Sequence, residues 1–297
     1  MAAILSMEEE GVRRWVVNIS KWDPLPHDFS SSLSLLPSHQ HSSITRFIKM
    51  EDRKRALVSR MLQYALVYDV MKIPFPQIII KRTLEGKPYL EYDEFGCKFP
   101  NFNFNVSHHG DYVAIASEPL CLVGLDIVSF DIPKGETIAE FIRCFSSYFS
   151  NLEWDNILNA GTPDDVLIEF YRYWSLKEAY AKAVGSGVTK ELNKVEFSHT
   201  SWTDISAKVD GKVMTEWRFW LFELGERHRA SIARGHPRSA VMSYKSTLKK
   251  VEFSEDEYLL GLNLPSVDFD NISVEQLVSI LQKALDFKDS HTGQVLM

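Results

Sequence analysis

A carboxylate inside an apolar run and a Glu–Lys pair on a helical stripe are the residues of this chain best placed to do chemistry. Asp126 lies within Leu122-Val123-Gly124-Leu125-Asp126-Ile127-Val128. A charge there is costly unless it is paired, hydrogen-bonded or holding a metal. Glu178 and Lys182 stand four residues apart in Trp174-Ser175-Leu176-Lys177-Glu178-Ala179-Tyr180-Ala181-Lys182, so they share one helical face. Each has a plainer reading. Glu178 and Lys182 fit an exposed ion pair, and Asp126 fits a structural partner for a lysine such as Lys182. Ser107-His108-His109-Gly110 adds a hydroxyl and imidazoles in a turn between two strands. The adjacent histidines lack zinc-ligand spacing. Together these groups suit one Mg²⁺ on two carboxylates, since magnesium prefers oxygen ligands and keeps some waters. Nearby lysine, histidine and arginine would neutralise a pyrophosphate. No Walker loop, dinucleotide fingerprint or serine-hydrolase motif is present.

The elements that must position these groups follow from pattern and punctuation. A strand is expected at 13–19, then a polar loop at 30–38, then two helices across 39–70 broken near Met50. Short strands are expected at 78–80, 102–106, 112–117 and 122–128. Ser150 with Glu153 caps a helix near 151–159. Thr162, Pro163, Asp164 and Asp165 start a helix that runs to Val184 and stops at Gly185. Strands at 194–198, 216–224, 228–234 and 239–244 complete a second helix-then-strand series. The tail has a helical pattern at 273–286, either docked or loose. Gly124 would let another backbone come close.

The 297 residues are 45% hydrophobic and 25% charged, ordinary for a soluble globular protein. The net charge of −7 disfavours nucleic acid. Yet Arg46, Lys49, Arg53, Lys54, Arg55 and Arg60 outnumber Glu51 and Asp52 within 46–60, a patch suited to a phosphorylated small molecule. Cys97, Cys121 and Cys144 suggest neither a disulfide framework nor a zinc site. No apolar run reaches the length of a membrane span. Glu8, Glu9 and Glu10 argue against a transit peptide. A cytoplasmic protein is expected.

Four segments, in order, resemble the signature of the Sfp-type 4′-phosphopantetheinyl transferases. They are Gly86-Lys87-Pro88, Asn105-Val106-Ser107-His108-His109-Gly110-Asp111, Gly124-Leu125-Asp126 and Trp174 to Lys182. Arg82-Thr83 before the first segment, and the long tail, are similar to the eukaryotic, human-like subgroup of aminoadipate-semialdehyde dehydrogenase-phosphopantetheinyl transferases. The resemblance implies an α+β fold of two similar halves about a pseudo-two-fold axis. On the present chain these halves are 1–133 and 134–248, with 249–297 as a C-terminal extension. It implies transfer of the 4′-phosphopantetheine arm of coenzyme A to a serine of apo acyl or peptidyl carrier proteins, leaving 3′,5′-ADP.

By the same resemblance Asp126 and Glu178 hold Mg²⁺ and the pyrophosphate. Ser107, His108 and Lys182 contact phosphates, and Arg82, Gly86, Lys87, Pro88 and Asn105 line the coenzyme A site. Arg55 meets the 3′-phosphate. Glu178, Lys182 and His108 are the implied catalytic residues, with Glu178 as base. Val128 stands where many bacterial members have a third acid. A pseudodimer of this kind is expected to work as a monomer, without nucleic-acid or membrane partners. The rival readings are a non-catalytic coenzyme A or carrier-protein-binding module and a Mg²⁺-dependent pyrophosphatase.

Overall fold

The computed structural model describes residues 10–91, 99 and 101–287; Cys97 lies outside them. Strand β1 (Arg13–Asn18) is followed by α1 (Pro26–Ser34), α2 (Ser38–Thr45) and the long α3 (Met50–Met71). Strands β2 (Ile79–Arg82), β3 (Pro88–Glu91), β4 (Asn103–His109), β5 (Tyr112–Glu118) and β6 (Leu122–Ser129) follow. Then come α4 (Ile138–Arg143), α5 (Asn151–Leu158) and α6 (Pro163–Val184). Strands β7 (Val195–Thr200), β8 (Asp204–Val209), β9 (Lys212–Val213), β10 (Trp217–Gly225) and β11 (His228–Gly235) come next. Helices α7 (Met242–Lys245) and α8 (Glu255–Leu262), strand β12 (Asp270–Asn271) and helix α9 (Val274–Asp286) close the chain.

This is an α+β protein with two main sheets, ordered β12-β1-β5-β4 and β10-β11-β6. Each carries one 22-residue helix, α3 on the first and α6 on the second. Strand β6 falls within 1–133 but pairs antiparallel with β11, so it belongs by hydrogen bonding to the second sheet. The tail is docked. Strand β12 runs parallel to β1, and Val274, Leu277, Leu281 and Ala284 of α9 join the apolar core that contains Leu57, Met61 and Leu62 of α3. Two buried arginines pin its approach. Arg14 of β1 donates to Ser266 Oγ and Val267 O, both at 2.8 Å. Arg234 of β11 donates to Leu264 O at 2.5 Å and to Glu118 Oε1 at 2.9 Å.

Helix α6 begins and ends where its sequence demands. Thr162 and Asp165 form a reciprocal capping box, Pro163 occupies the first turn, and Gly185 takes the left-handed conformation at φ 80° that closes the last turn. Two segments differ from expectation. The serine-rich stretch expected as a loop is largely α1. Pro26 and Asp28 start it, and buried Phe29 stacks on Trp22, so packing outweighs the weak helix propensity of serine. The strand expected at 239–244 is instead a turn and the short α7, which seats buried Tyr244 against Gly185. The hairpin partner β8 was not foreseen. Only Ala207 among its residues is buried, so the alternation that marks a strand is weak.

Strands β4 and β6 lie side by side and run the same way, but no main-chain hydrogen bond joins them among the described residues. Side chains of β4 take the place of a backbone ladder. Asn103 Oδ1, Asn105 Oδ1, Ser107 Oγ and His109 Nδ1 accept in turn from the N–H groups of Val123, Leu125, Ile127 and Ser129, at 3.1, 2.8, 3.1 and 3.1 Å.

On its other flank β6 is pressed against α6 at Gly124. A Cβ there would lie 1.8 Å from Ala179 O and 2.5 Å from Ala183 N, both main-chain atoms of the helix. Gly124→Ala is therefore expected to push α6 off the strand and to destabilise the protein by about 2–3 kcal/mol. Denaturant melts check this, and an unchanged melting midpoint would mean that the helix does not depend on this approach.

Candidate active site

Asp126 reaches the site from β6, and Glu178 and Lys182 reach it from successive turns of α6. Lys182 Nζ lies 2.6 Å from Asp126 Oδ1 and 3.1 Å from Ser107 Oγ. The Ser107 hydroxyl accepts from Lys182 and from Ile127 N, and donates to Asp126 Oδ1 at 3.3 Å. Of the two readings left open for Asp126, the lysine pairing is realised in this structure. The pair is unequal, with the Asp126 side chain 8% exposed and that of Lys182 30%.

Glu178 is half-buried, and no hydrogen bond or ion pair reaches its carboxylate among the described residues. Burial, then the neighbouring Asp126 charge, push its pKa up to about 7, while Lys182 pulls it down. The neighbouring Lys177 has the opposite fate. It is fully buried and spends its ammonium on Glu153 at 2.8 Å and on the carbonyls of Leu192 and Val195 at 2.8 and 2.6 Å. Val128 faces α6 like Asp126 but is 2% exposed and packed in the aromatic-rich second core.

Glu178 and Lys182 line an open cleft of about 270 Å³, together with Arg82, Gly86, Lys87, Pro88 and Asn105; Asp126 and Ser107 adjoin it through Lys182. Gly86 turns the chain at φ 89°, where Arg82 Nη1 donates to its carbonyl at 2.7 Å. Lys87 also lines the cleft, but its ammonium is turned into the wall. It is buried, and its Nζ donates to Val123 O at 2.9 Å and Lys182 O at 2.5 Å, above the Tyr244 ring. Burial, then the Lys182 charge, pull its pKa to about 7. It ties β3 to both β6 and the end of α6. The Asn105 oxygen is likewise turned to β6.

His108, one residue past Ser107, projects to the opposite side of β4, toward α3. Desolvation, then Arg55, Lys182, His109 and Arg60, hold it below the usual imidazole value, so it is neutral near pH 7. Arg55 contacts Asp52 at 3.7 Å, and its buried Nη1 makes no hydrogen bond among the described residues. Sequence reasoning did not foresee that Arg46 and Arg60 would come within electrostatic reach of Arg82 at the rim of the cleft. Arg60 is depressed by burial and then by the charges of Arg82 and Arg46, so the three arginines lie within electrostatic reach of one another. Their membership of the basic run at 46–60 was visible, but the approach of Arg82 was not. His109, as a rung to β6, was also missed.

Comparison with known proteins shows the family of the chain. Residues 20–120 match the family described as 4′-phosphopantetheinyl transferase, N-terminal, and 122–233 match the 4′-phosphopantetheinyl transferase superfamily. The rat L-aminoadipate-semialdehyde dehydrogenase-phosphopantetheinyl transferase is 32% identical over 251 residues, covering 81% of each chain. The human protein of that name is 33% identical over 236 residues, 77% of this chain and 76% of its own. A phosphopantetheinyl transferase of Thraustochytrium is 33% identical over 233 residues, 76% of this chain and 79% of its own.

Two stability outcomes follow for the metal-free protein. Asp126→Ala removes the acceptor of Lys182 and Ser107 and is expected to cost about 1–3 kcal/mol, less than for a fully buried pair because Lys182 is partly hydrated. A melt that holds or rises would show that the pairing carries no stability. Glu178 has a folded pKa above its unfolded value, so its carboxyl costs nothing below about 4.5. Its penalty grows as pH rises to about 7 and is complete above that. Glu178→Gln is therefore expected to match wild type in urea melts at pH 4.5 and to exceed it by about 2–3 kcal/mol at pH 8 in a chelator. A pH-independent difference would contradict the environment described.

Proposed function

The chain belongs to the 4′-phosphopantetheinyl transferase superfamily; it transfers the 4′-phosphopantetheine arm of coenzyme A to carrier proteins, and we propose that the cleft between the β2–β3 hairpin, β4 and α6 is where transfer occurs. The observation that carries this reading is the Ser107–Asp126–Lys182 cluster with an unpartnered Glu178 beside it, facing a cleft rimmed by Arg82.

Asp126 and Glu178 fit a divalent cation. The Asp126 charge disfavours ionisation of Glu178, and a cation would relieve that repulsion. The described residues contain no cluster of three or more His, Cys, Asp or Glu side chains that would complete a protein shell. When bound, Mg²⁺ would neutralise and polarise the pyrophosphate. The chain's own groups do the rest. Lys182, its Nζ already among oxygen atoms, offsets charge on the phosphate that coenzyme A presents. Neutral His108 donates a hydrogen bond, and Arg55, Arg60, Arg46 and Arg82 attract the remaining phosphates, with Arg55 assigned to the 3′-phosphate.

The carrier serine hydroxyl attacks the β-phosphorus, its proton passes to Glu178, and the bond to the departing 3′,5′-ADP breaks. Lys182 returns a proton to that leaving phosphate. We further propose that the protein acts as a monomer and works in the cytoplasm. No helix of the described residues is long and apolar enough to cross a membrane.

Incubation with an apo carrier protein, coenzyme A and Mg²⁺, read by mass spectrometry, tests the assignment. Wild type is expected to add one phosphopantetheine per carrier. Glu178→Gln and Lys182→Met are expected to lower turnover at least about a hundredfold while remaining folded. Folded variants with near-normal turnover would remove both residues from the mechanism. Release of free phosphate from pyrophosphate, without carrier modification, would favour the pyrophosphatase reading.

A further inference from the structure

The four-rung contact between β4 and β6 includes two side chains that the chemistry does not use, Asn103 and His109. Ser107 belongs to the site, Asn105 lines the cleft, and Asn103 is buried at the far end, where its Nδ2 donates to Asn101 O and Cys121 O at 2.9 and 2.7 Å. His109 forms the outermost rung, at the exposed end of β4. Its Nδ1 accepts from Ser129 N at 3.1 Å, which requires the tautomer with the proton on Nε2. The rung is thus made by a ring nitrogen acting as a plain acceptor.

The register of this contact sets the site. Strand β4 carries Ser107 and His108 and moves with the first sheet. Strand β6 carries Asp126 and moves with the second sheet, because its other edge is bonded along its length to β11. Side-chain rungs have rotatable bonds, unlike a main-chain ladder, so the seam is the weakest hydrogen-bonded line across the catalytic groups. Asp126 sits between the rungs at Leu125 and Ile127, and the rung at Ser129 is the last one beyond it. Loss of that rung leaves Ser107 as the nearest rung to the strand end beyond Asp126, beside the longer contact of Asp111 N with His228 Nε2 of β11 at 3.4 Å.

We propose that Asn103, Asn105, Ser107 and His109 are a register ladder between the two sheets, and that His109 is a positioning residue for transfer through its hold on the Ser129 N–H. The inference rests on the transfer reading for its activity arm and on geometry alone for its exchange arm. An asparagine oxygen occupies nearly the place of histidine Nδ1, and Asn103 and Asn105 already make the same rung. His109→Asn should therefore keep the ladder, and His109→Ala should open its end.

The test measures carrier-protein modification and amide hydrogen exchange in wild type, His109→Ala and His109→Asn, well below each melting temperature. His109→Ala is expected to lower kcat about tenfold, the cost of a small misplacement of reacting groups, and to speed exchange at Ser129. His109→Asn is expected to restore kcat to within about twofold and to restore slow exchange. Wild-type turnover in His109→Ala would overturn the positioning role. An asparagine variant as slow as the alanine variant would overturn it too, since the imidazole itself would then be required. Unchanged exchange at Ser129 in His109→Ala would overturn the ladder. If wild type itself modifies no carrier, the transfer reading fails, while the exchange comparison still decides the ladder.

Discussion

The N–H groups along one edge of β6 are buried, and each must find an acceptor or carry the cost of a lost hydrogen bond. No strand supplies one. Four side chains of β4 do, and the placement of the site depends on that substitution. Strand alternation then divides β4 into two faces. Residues 103, 105, 107 and 109 are turned to β6, while Phe104 enters the first core and His108 turns to the arginines of α3. Ser107 is at once a rung and the hydroxyl shared by Lys182 and Asp126, so the geometry of the seam and of the site are the same geometry.

A second constraint acts from the other side of β6. Gly124 and the alanines at 179 and 183 let α6 lie almost on the strand, which brings the Lys182 ammonium to Asp126. Rotation about the helix is fixed by a different charge. Lys177 is locked to Glu153 inside the second core, and Glu153 in turn accepts from Phe197 N at 2.9 Å and Ser150 N at 2.8 Å. Lys177 and Glu178 are adjacent but about 100° apart around the helix. Anchoring the first inward presents the second to the cleft. A buried ion pair is weak support for stability in itself, but removing one partner is costly, which makes it a firm orienting device.

Electrostatics at the cleft are asymmetric. Arg46, Arg55, Arg60, Arg82 and Lys182 accumulate positive charge in a protein of net charge −7, and burial, then the charges of Arg55, Lys182, His109 and Arg60, lower the proton affinity of His108. Such a field is unfavourable to an empty site and favourable to a polyanion, so the cost of collecting the charges is returned on binding phosphates. Lys87 departs from this pattern. Desolvation weakens its hold on a proton, and its donors serve carbonyls of β6 and α6, so it braces the wall of the cleft.

Much of the site was legible in the sequence because its residues have no comfortable alternative. A carboxylate amid Leu122 to Val128, a glycine beside it and a Glu–Lys pair on an alanine-rich helix each point to contact with something close and charged. The start and stop of α6 were equally plain, since Thr162, Pro163, Asp165 and Gly185 act through local hydrogen bonds and dihedral angles. What the sequence left open depends on distance along the chain. The pairing of Asp126 with Lys182 and the turning of Lys87 into the wall were settled by packing, as were the meeting of Arg60 with Arg82 and the use of His109 as an acceptor for Ser129. The same holds for α1, where Phe29 against Trp22 makes a helix of a serine-rich stretch. Local signals fix which side chains are costly to bury. Only the assembled sheets decide which partner meets that cost, because the partners come from different strands and helices.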